Sequence, residues 1–187
     1  MQVGKEEGPM RRVSEKKETA REMEVAGSYP APRIGEVTFR DLSRDEIEAL
    51  LLRNKVGRVA FSFHDRVDIQ PIHYVYERGW IYGRTSEGEK LATLKHNQWV
   101  AFEVDEVTDT FDWRSIVIHG SFWFIHPRGS PRAEELWSKA AELVSRIVPG
   151  ALTEHDPVGF RQTLFRIAVS DVRGREAAPR VPQRNDP

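Results

Sequence analysis

The segment from Gly83 to Lys90 combines several residue types that bind phosphate groups. Arg84 supplies a guanidinium and Lys90 an ammonium. Thr85 and Ser86 supply hydroxyls. An extended run gives way to a predicted helix inside this segment, so Lys90 would lie in the first helical turn, where the helix dipole favours an anion. These residues predict a phosphate site where a strand meets a helix, and the neighbouring strands would offer backbone edges to a flat polar ring.

The composition excludes several other classes of chemistry. The chain of 187 residues carries 28 basic and 29 acidic residues, a balance that does not favour binding to nucleic acid or an anionic membrane. It has no cysteine, which removes disulfides and thiolate chemistry. The six histidines show no HxH or HExxH spacing, so no metal site is expected. No apolar run approaches the ~20 residues that span a bilayer, and the N-terminus lacks a secretory pattern, so a soluble cytoplasmic protein is expected.

The distribution of polar residues divides the chain into one domain and two tails. Residues 1–35 are polar, of mixed charge, and end in a Pro-containing breaker at 28–32. Such a segment buries too little apolar surface to offset the entropy of ordering it, which predicts a mobile tail or an arm that orders against a partner subunit. Residues 176–187, rich in Pro and Arg, predict a second tail. The folded domain is then 36–175.

Three segments predict helices. Ser43 and Glu46 form a capping-box pattern that begins a helix through Leu52. Residues 87–97 predict a short helix. Ser130, followed by proline, begins a strongly amphipathic helix that ends near Val148.

Alternation of apolar and polar residues predicts five or six short strands between these helices. The longest strand would place Val117 and Trp123 on the face opposite its core residues. Residues 105–112 predict an acidic loop. Short strands with single-sided alternation favour a small antiparallel barrel, a mainly β fold with helices. The predicted strands are Val56–Phe63, Asp68–Tyr76, Trp80–Arg84, Trp99–Val104, Arg114–Ile125 and Thr163–Val172.

The order of these elements resembles the flavin-binding split β-barrel family. That superfamily includes pyridoxamine 5′-phosphate oxidases and nitroimidazole-resistance, nitroreductase-like proteins, and the second branch is the more similar. Two motifs carry the resemblance, the strand from Trp113 to Gly120 and the helix start Gly88-Glu89-Lys90-Leu91. It covers residues 42–172. It implies an antiparallel FMN-binding split barrel that forms a homodimer, with FMN at the dimer interface.

The resemblance also implies which residues hold the FMN phosphate. Thr85 and Lys90 match phosphate-binding positions. Arg84 occupies a position that often carries histidine or a hydroxyl residue, and Glu89 replaces a phosphate-binding arginine of the oxidases. Arg84 would then compensate for the lost cation, or phosphate binding would be weaker, or Arg84 would be an exposed partner of a nearby glutamate. The implied cofactor-binding residues are Gln70, Pro71, Ile72, His73, Gly83, Arg84, Thr85, Lys90, Trp113 and Ser115.

The flavin ring would lie along the strand from Gln70 to His73. A donor near N1 and the C2 carbonyl of the ring favours the reduced flavin, and His73 would either donate there or pack at an interface. Ser115 points away from the apolar face of its strand, so it would bond the ring or ribityl chain, or satisfy a backbone group at the barrel edge. Trp113 would stack on the ring or pack beside its strand.

The function expected from this resemblance is an FMN-dependent oxidoreductase. It would pass electrons from NADH or NADPH to a small flat acceptor such as a nitroaromatic compound or a quinone. A flavin-binding or sensor module without turnover is the alternative from another class. A pyridoxamine 5′-phosphate oxidase is less favoured, because the chain lacks the long C-terminal segment that carries that enzyme's substrate-binding residues. A relative that binds haem or a deazaflavin is a further alternative. No catalytic residue is identified.

Overall fold

The computed structural model describes residues 36–63, 66–86 and 89–180. The predicted N-terminal tail or arm, 1–35, lies outside the described residues, as do residues 181–187 and Gly88 of the helix-start motif. The side chains of Phe63 and of residues 89–92 also lie outside them. No helix among the described residues is long and apolar enough to cross a membrane.

The described ranges form seven strands and three helices. All strand pairs are antiparallel. In chain order the elements are β1 Val37–Asp41, α1 Arg44–Arg53, β2 Val56–Phe63, β3 Arg66–Glu77, β4 Trp80–Thr85, α2 Glu89–His96, β5 Trp99–Asp109, β6 Asp112–Ile125, α3 Pro131–Ser145 and β7 Thr163–Pro179.

Strand β7 closes the sheet into a barrel. The strand order is β1-β7-β4-β3-β2-β5-β6, and β7 pairs again with β6, so six strands form a ring and β1 extends it. The first part of β7, 163–168, lies between β4 and β6, and its last part, 175–177, lies between β1 and β6. The predicted antiparallel barrel with helices is confirmed.

The motif that ends at Gly120 has a structural role in this closure. A Cβ atom at Gly120 would lie 1.9 Å from the carbonyl oxygen of Ala168 on β7, so a side chain has no room there. The register between β6 and β7 shifts beside it, between His119 and Gly120. This glycine lets β6 and β7 approach each other at an irregularity in their pairing.

The predicted acidic loop at 105–112 is wrong. Strand β5 continues to Asp109 and β6 begins at Asp112, so the chain turns within a tight hairpin. The acidic side chains are accommodated because arginines face them: Arg58 pairs with Asp105, and Arg53 binds Glu106 with an Nη2–Oε2 distance of 2.5 Å. These hydrogen bonds from Arg53 lower the pKa of Glu106 to about 2. The acidic residues of 105–112 give no sign, in the sequence, of the arginines that pair with them.

The predicted end of the folded domain is also too early. Strand β7 runs to Pro179, through residues that the sequence assigns to the C-terminal tail, and β1 pairs with this extension. Glu176 is buried there because two arginines bind it, with 2.5 Å from Arg114 Nε to Oε1 and 2.6 Å from Arg40 Nη2 to Oε2. Sequence periodicity predicts neither β1 nor this ion-pair network.

Helix α1 begins as its capping box predicts. The Ser43 hydroxyl accepts from the Glu46 amide at 3.3 Å, and the Glu46 carboxylate accepts from the Ser43 amide at 2.8 Å. The other end of the helix is held by the barrel, because the Tyr74 hydroxyl donates to the Leu51 carbonyl at 3.0 Å. Buried Leu50 and Leu51 belong to the same core cluster as the inward-facing residues of the barrel.

The core has two parts, and they leave some of the barrel surface uncovered. One cluster fills the barrel, and a second lies between α3 and the outer faces of β3, β4 and β7. Helix α3 does not extend over β2 and β5, and the surface there remains open. We call the exposed apolar side chains on that side the open face: Val67, Ile69, Trp99 and Val117.

Candidate functional site

The barrel opens between strands β3 and β4. The two strands pair from Tyr74–Gly83 to Glu77–Trp80, whereas residues 66–73 of β3 pair with β2. Within the described residues no strand pairs with the second edge of 66–73. Gln70–His73 therefore lies on one side of this opening and Arg84–Thr85 on the other, and part of the β3 backbone faces the gap.

Gly83 stands where β3 and β4 begin to separate. It packs directly on the core, because a Cβ atom there would lie 2.5 Å from Cζ of Phe165 and 3.0 Å from the carbonyl oxygen of His73. The close approach of the two backbones explains the glycine without any ligand. The opening thus starts at a tightly packed point.

Arg84 is buried and paired with Asp156. It is therefore not an exposed arginine paired with a nearby glutamate, one of the alternatives expected from the sequence. Its guanidinium binds Asp156, in the loop after α3, through an Nη2–Oδ1 contact of 2.9 Å and a second contact between Nη1 and Oδ2. The two side chains are only 5 % and 2 % exposed. Asp156 already balances the charge of Arg84, so a phosphate near Arg84 would compete with Asp156 for that charge.

Asp156 organises the loop that follows α3. Besides Arg84, it accepts from the backbone amides of Leu152 at 2.8 Å and Val158 at 2.9 Å. The hydrogen bonds from Arg84, opposed by burial and assisted by these two amides, hold the pKa of Asp156 well below its usual 3.8. Sequence reasoning missed Asp156, because its partner is 72 residues away and a single sequence carries no sign of the pairing.

A cavity of about 230 Å³ lies beside the Arg84–Asp156 pair. Its walls are mostly aliphatic, and its polar groups are those of His73, Arg84 and Arg161. Of the predicted site residues it brings together His73 and Arg84. The remaining lining residues are Val144, Ile147, Val148 and Val158.

The predicted phosphate residues lie at the end of this opening. Thr85 is buried at the last position of β4, and its hydroxyl donates to the Ser86 carbonyl at 3.4 Å. Helix α2 begins at Glu89, so the backbone of Lys90 lies in its first turn, as predicted. The Lys90 side chain lies outside the described residues, and its contact with an anion stays a prediction.

The predicted ring strand divides its side chains between two environments. Ile72 is buried in the barrel core, so its side chain serves packing, and only its backbone is available to a ligand. Gln70 is half-buried, whereas Pro71 and His73 are exposed. A flat ligand would therefore meet the backbone of β3 together with these two outward-facing side chains.

Trp113 and Ser115 lie elsewhere on the barrel. Both are half-buried on β6, where the Ser115 hydroxyl donates to Glu103 at 3.4 Å and the Trp113 ring lies 6.3 Å from that of Phe39. Strand β6 is three strand positions from β3 in both directions around the ring. A single copy of the chain therefore does not join these two residues to Gln70–His73.

The antiparallel barrel and its opening beside a strand–helix junction are shared with a known protein family. The family model described as pyridoxamine 5′-phosphate oxidase matches residues 43–176, which includes every described element except β1 and the end of β7. The chain belongs to this pyridoxamine 5′-phosphate oxidase-like family of flavin-binding proteins. The resemblance inferred from the motifs is confirmed.

Individual relatives agree with this assignment. A crystal structure of an FAD-binding protein from Mesorhizobium loti is 26 % identical, covers 75 % of this chain and 99 % of its own, and superposes with a TM-score of 0.62. An uncharacterised protein, RA0666, from Rhizobium meliloti (strain 1021) is 25 % identical over 83 residues, which are 44 % of this chain. The chain thus spans about half, 55 %, of that curated relative.

A further solved structure shares the fold of this chain at a lower sequence identity. A Bacteroides thetaiotaomicron protein provisionally named a 5-nitroimidazole antibiotic resistance protein superposes with a TM-score of 0.59. It covers 76 % of this chain and 89 % of its own, with 16 % identity. At that identity the likeness concerns architecture alone.

We expect Asp156→Asn to destabilise the protein at neutral pH, because it leaves the buried Arg84 guanidinium without its counterion. The pKa of Asp156 is lowered on folding, so its stabilising contribution is complete above the unfolded-state value of about 3.8 and is lost as the pH falls through the folded-state value. The stability difference between wild type and variant is therefore constant from pH 7 to about 5 and shrinks only below about 4. Urea unfolding at each pH measures it.

Glu154→Gln is the matched control, since Glu154 lies in the same loop but is 86 % exposed. It should leave the free energy of unfolding at neutral pH nearly unchanged. Equal effects of the two substitutions would contradict the assigned role of Asp156.

Proposed function

We propose that this protein is an FMN-dependent oxidoreductase that passes electrons from NADH or NADPH to a small flat acceptor, such as a nitroaromatic compound or a quinone. The observation that carries the proposal is the opening between β3 and β4. Predicted cofactor residues flank it on both sides, Gln70–His73 and Arg84–Thr85, and the first turn of α2 follows at its end. Membership in a flavin-binding family supports the same assignment.

In this proposal the chain binds and orients the cofactor. The unpaired edge of β3 would offer backbone groups to the polar edge of the flavin, while Lys90 and the amide end of α2 would hold the phosphate. The buried Arg84 is neutralised by Asp156, so Lys90 would carry most of the phosphate's countercharge. The bound flavin supplies the redox chemistry, and the protein supplies its position and excludes water.

We further propose that the cofactor lies at the interface of a homodimer. Ser115 and Trp113 lie on the strand opposite Gln70–His73, so a second copy is needed for both groups to reach one flavin. The open face gives a reason for association, because its apolar side chains lack cover within the described residues. An exposed apolar patch of this kind typically marks an interface, and twofold pairing is its commonest arrangement.

The identity of the cofactor is part of the proposal. FMN is favoured by the predicted phosphate residues Thr85 and Lys90 at the end of the opening. FAD is the alternative, because the Mesorhizobium loti relative is an FAD-binding protein. The absorption spectrum separates a flavin from haem or a deazaflavin, and extraction with chromatography separates FMN from FAD.

We expect purified protein to bind FMN, with the flavin spectrum shifted from that of free FMN. Lys90→Gln should weaken this binding about 10- to 150-fold, because one charge-assisted contact is worth about 1.5–3 kcal/mol. Lys95→Gln, in the last turn of the same short helix, removes an equal charge and should change the affinity little. Protein that binds neither FMN nor FAD would end the cofactor assignment.

Turnover distinguishes an enzyme from a flavin-binding or sensor module. We expect NADH or NADPH oxidation with a nitroaromatic or quinone acceptor to exceed the rate with free FMN at the same concentration. A module without turnover would show no such excess despite binding flavin. Oxidation of pyridoxamine 5′-phosphate in the same preparation tests directly whether the protein is a pyridoxamine 5′-phosphate oxidase.

Sedimentation, combined with a substitution on the open face, tests the proposed dimer. We expect sedimentation of a dimer at micromolar concentration, and Trp99→Glu should weaken association at least about 30-fold, because a buried interface aromatic commonly contributes about 2 kcal/mol or more. Phe160→Glu is the control, since its exposure, 66 %, is close to the 69 % of Trp99 but it lies in the loop after α3. A wild-type protein that sediments only as a monomer would contradict the interfacial site.

A further inference from the structure

A second cavity, of about 300 Å³, lies between α3 and the outer faces of β4 and β7. It contains none of the predicted flavin residues. Four of its side chains come from α3 at positions i, i+3, i+4 and i+7, so they form one face of that helix. The lining residues are Tyr82, Arg132, Glu135, Leu136, Lys139 and Arg166.

Arg166 is the unusual residue of this cavity. Its guanidinium lies 3.9 Å from the centroid of the Trp80 ring, which fixes the plane of the side chain against an aromatic wall. Its Nε atom is buried and has no hydrogen-bond partner within the described structure. Buried polar atoms of folded proteins nearly always have a partner, so an unpaired one calls for an explanation.

The charges around the cavity do not cancel. Lys139 is matched by Glu77, with an Nζ–Oε1 distance of 3.3 Å. Arg132 and Arg166 form no ion pair with a carboxylate among the described residues, whereas Glu135 contributes one negative charge to the lining. One positive charge in excess therefore lies beside a buried N–H donor.

The rest of the wall is apolar. Leu136 is half-buried, and the ring of Tyr82 is almost fully buried in the layer between α3 and the sheet. Tyr82 and Trp123 are the direct cross-strand neighbours of Arg166 on β4 and β6. The arginine is thus bordered by aromatic residues on three sides, counting Trp80.

We propose that this cavity binds a small organic anion, a carboxylate or a phosphate monoester attached to a flat or apolar body. The anionic oxygens would accept from Arg166 and Arg132, since a guanidinium presents parallel donors to such groups. The body of the ligand would pack on Leu136, which is half-buried. This site goes beyond the proposed flavin function and does not depend on it.

Calorimetric titration of the full-length protein with benzoate, phenyl phosphate and inorganic phosphate tests the site. At least one organic probe should bind, and binding should weaken about 10- to 150-fold in Arg166→Gln, the factor expected for one charge-assisted contact. Arg132→Gln, on an exposed helical position, should weaken it in the same direction and keeps the test available if Arg166→Gln does not fold. The comparison of benzoate with phenyl phosphate distinguishes a carboxylate from a phosphate ligand.

Arg128→Gln is the matched control, because Arg128 is exposed, precedes α3 and does not line the cavity. It should leave the affinity for the probes unchanged. FMN binding should be the same in all three variants, which separates this site from the flavin site. The proposal is overturned if neither organic probe binds, if Arg128→Gln weakens binding as much as Arg166→Gln does, or if inorganic phosphate binds as tightly as phenyl phosphate.

Discussion

The architecture depends on the double pairing of β7. A strand of 17 residues is long enough to pair with β4 and β6 at one end and with β1 and β6 at the other, and this closes six strands into a ring. Closure removes most free strand edges, which otherwise attract other chains. Among the described residues, one stretch of the ring with an unpaired edge is the part of β3 that separates from β4. The candidate site lies where the hydrogen-bonded ring is incomplete.

The outer surface of the barrel is covered on one side and exposed on the other. Helix α3 and the loop after it cover the outer side of β3, β4 and β7, and the buried pair of Arg84 and Asp156 fastens that loop to β4. The outer side around β2 and β5 has no such cover among the described residues. The sheet is therefore packed against α3 on one side and carries exposed apolar side chains on the other.

The sequence predicts the elements whose signals are local. The capping pattern at Ser43, the hairpin after Glu77 and the alternation of Ile116 and Ile118 each depend on neighbouring residues, and the structure agrees with them. The errors involve partners that are distant in sequence. Acidic residues after Val104 look like a loop until Arg53 and Arg58 are placed beside them, and Glu176 looks like part of a tail until Arg40 and Arg114 surround it.

The same distinction applies to the site. Family motifs locate Gln70–His73 and Arg84–Thr85, and the structure brings these two segments to either side of one opening. The motifs do not reveal Asp156, since charge pairing across 72 residues leaves no local pattern. They also group Ser115 with the β3 residues, although one copy of the chain holds them on opposite strands of the ring.

The position of Pro71 on the unpaired stretch of β3 explains why a proline is tolerated in this strand. Proline lacks an amide hydrogen and is tolerated in a sheet where its nitrogen faces away from a partner strand. Here it pairs with Arg58 on one side while the other side meets the gap. A bare edge would be a template for intermolecular β-sheet and hence for aggregation, and a missing donor in the middle of it interrupts that template. Pro71 therefore makes this unpaired edge a poorer site for strand pairing with other copies of the chain.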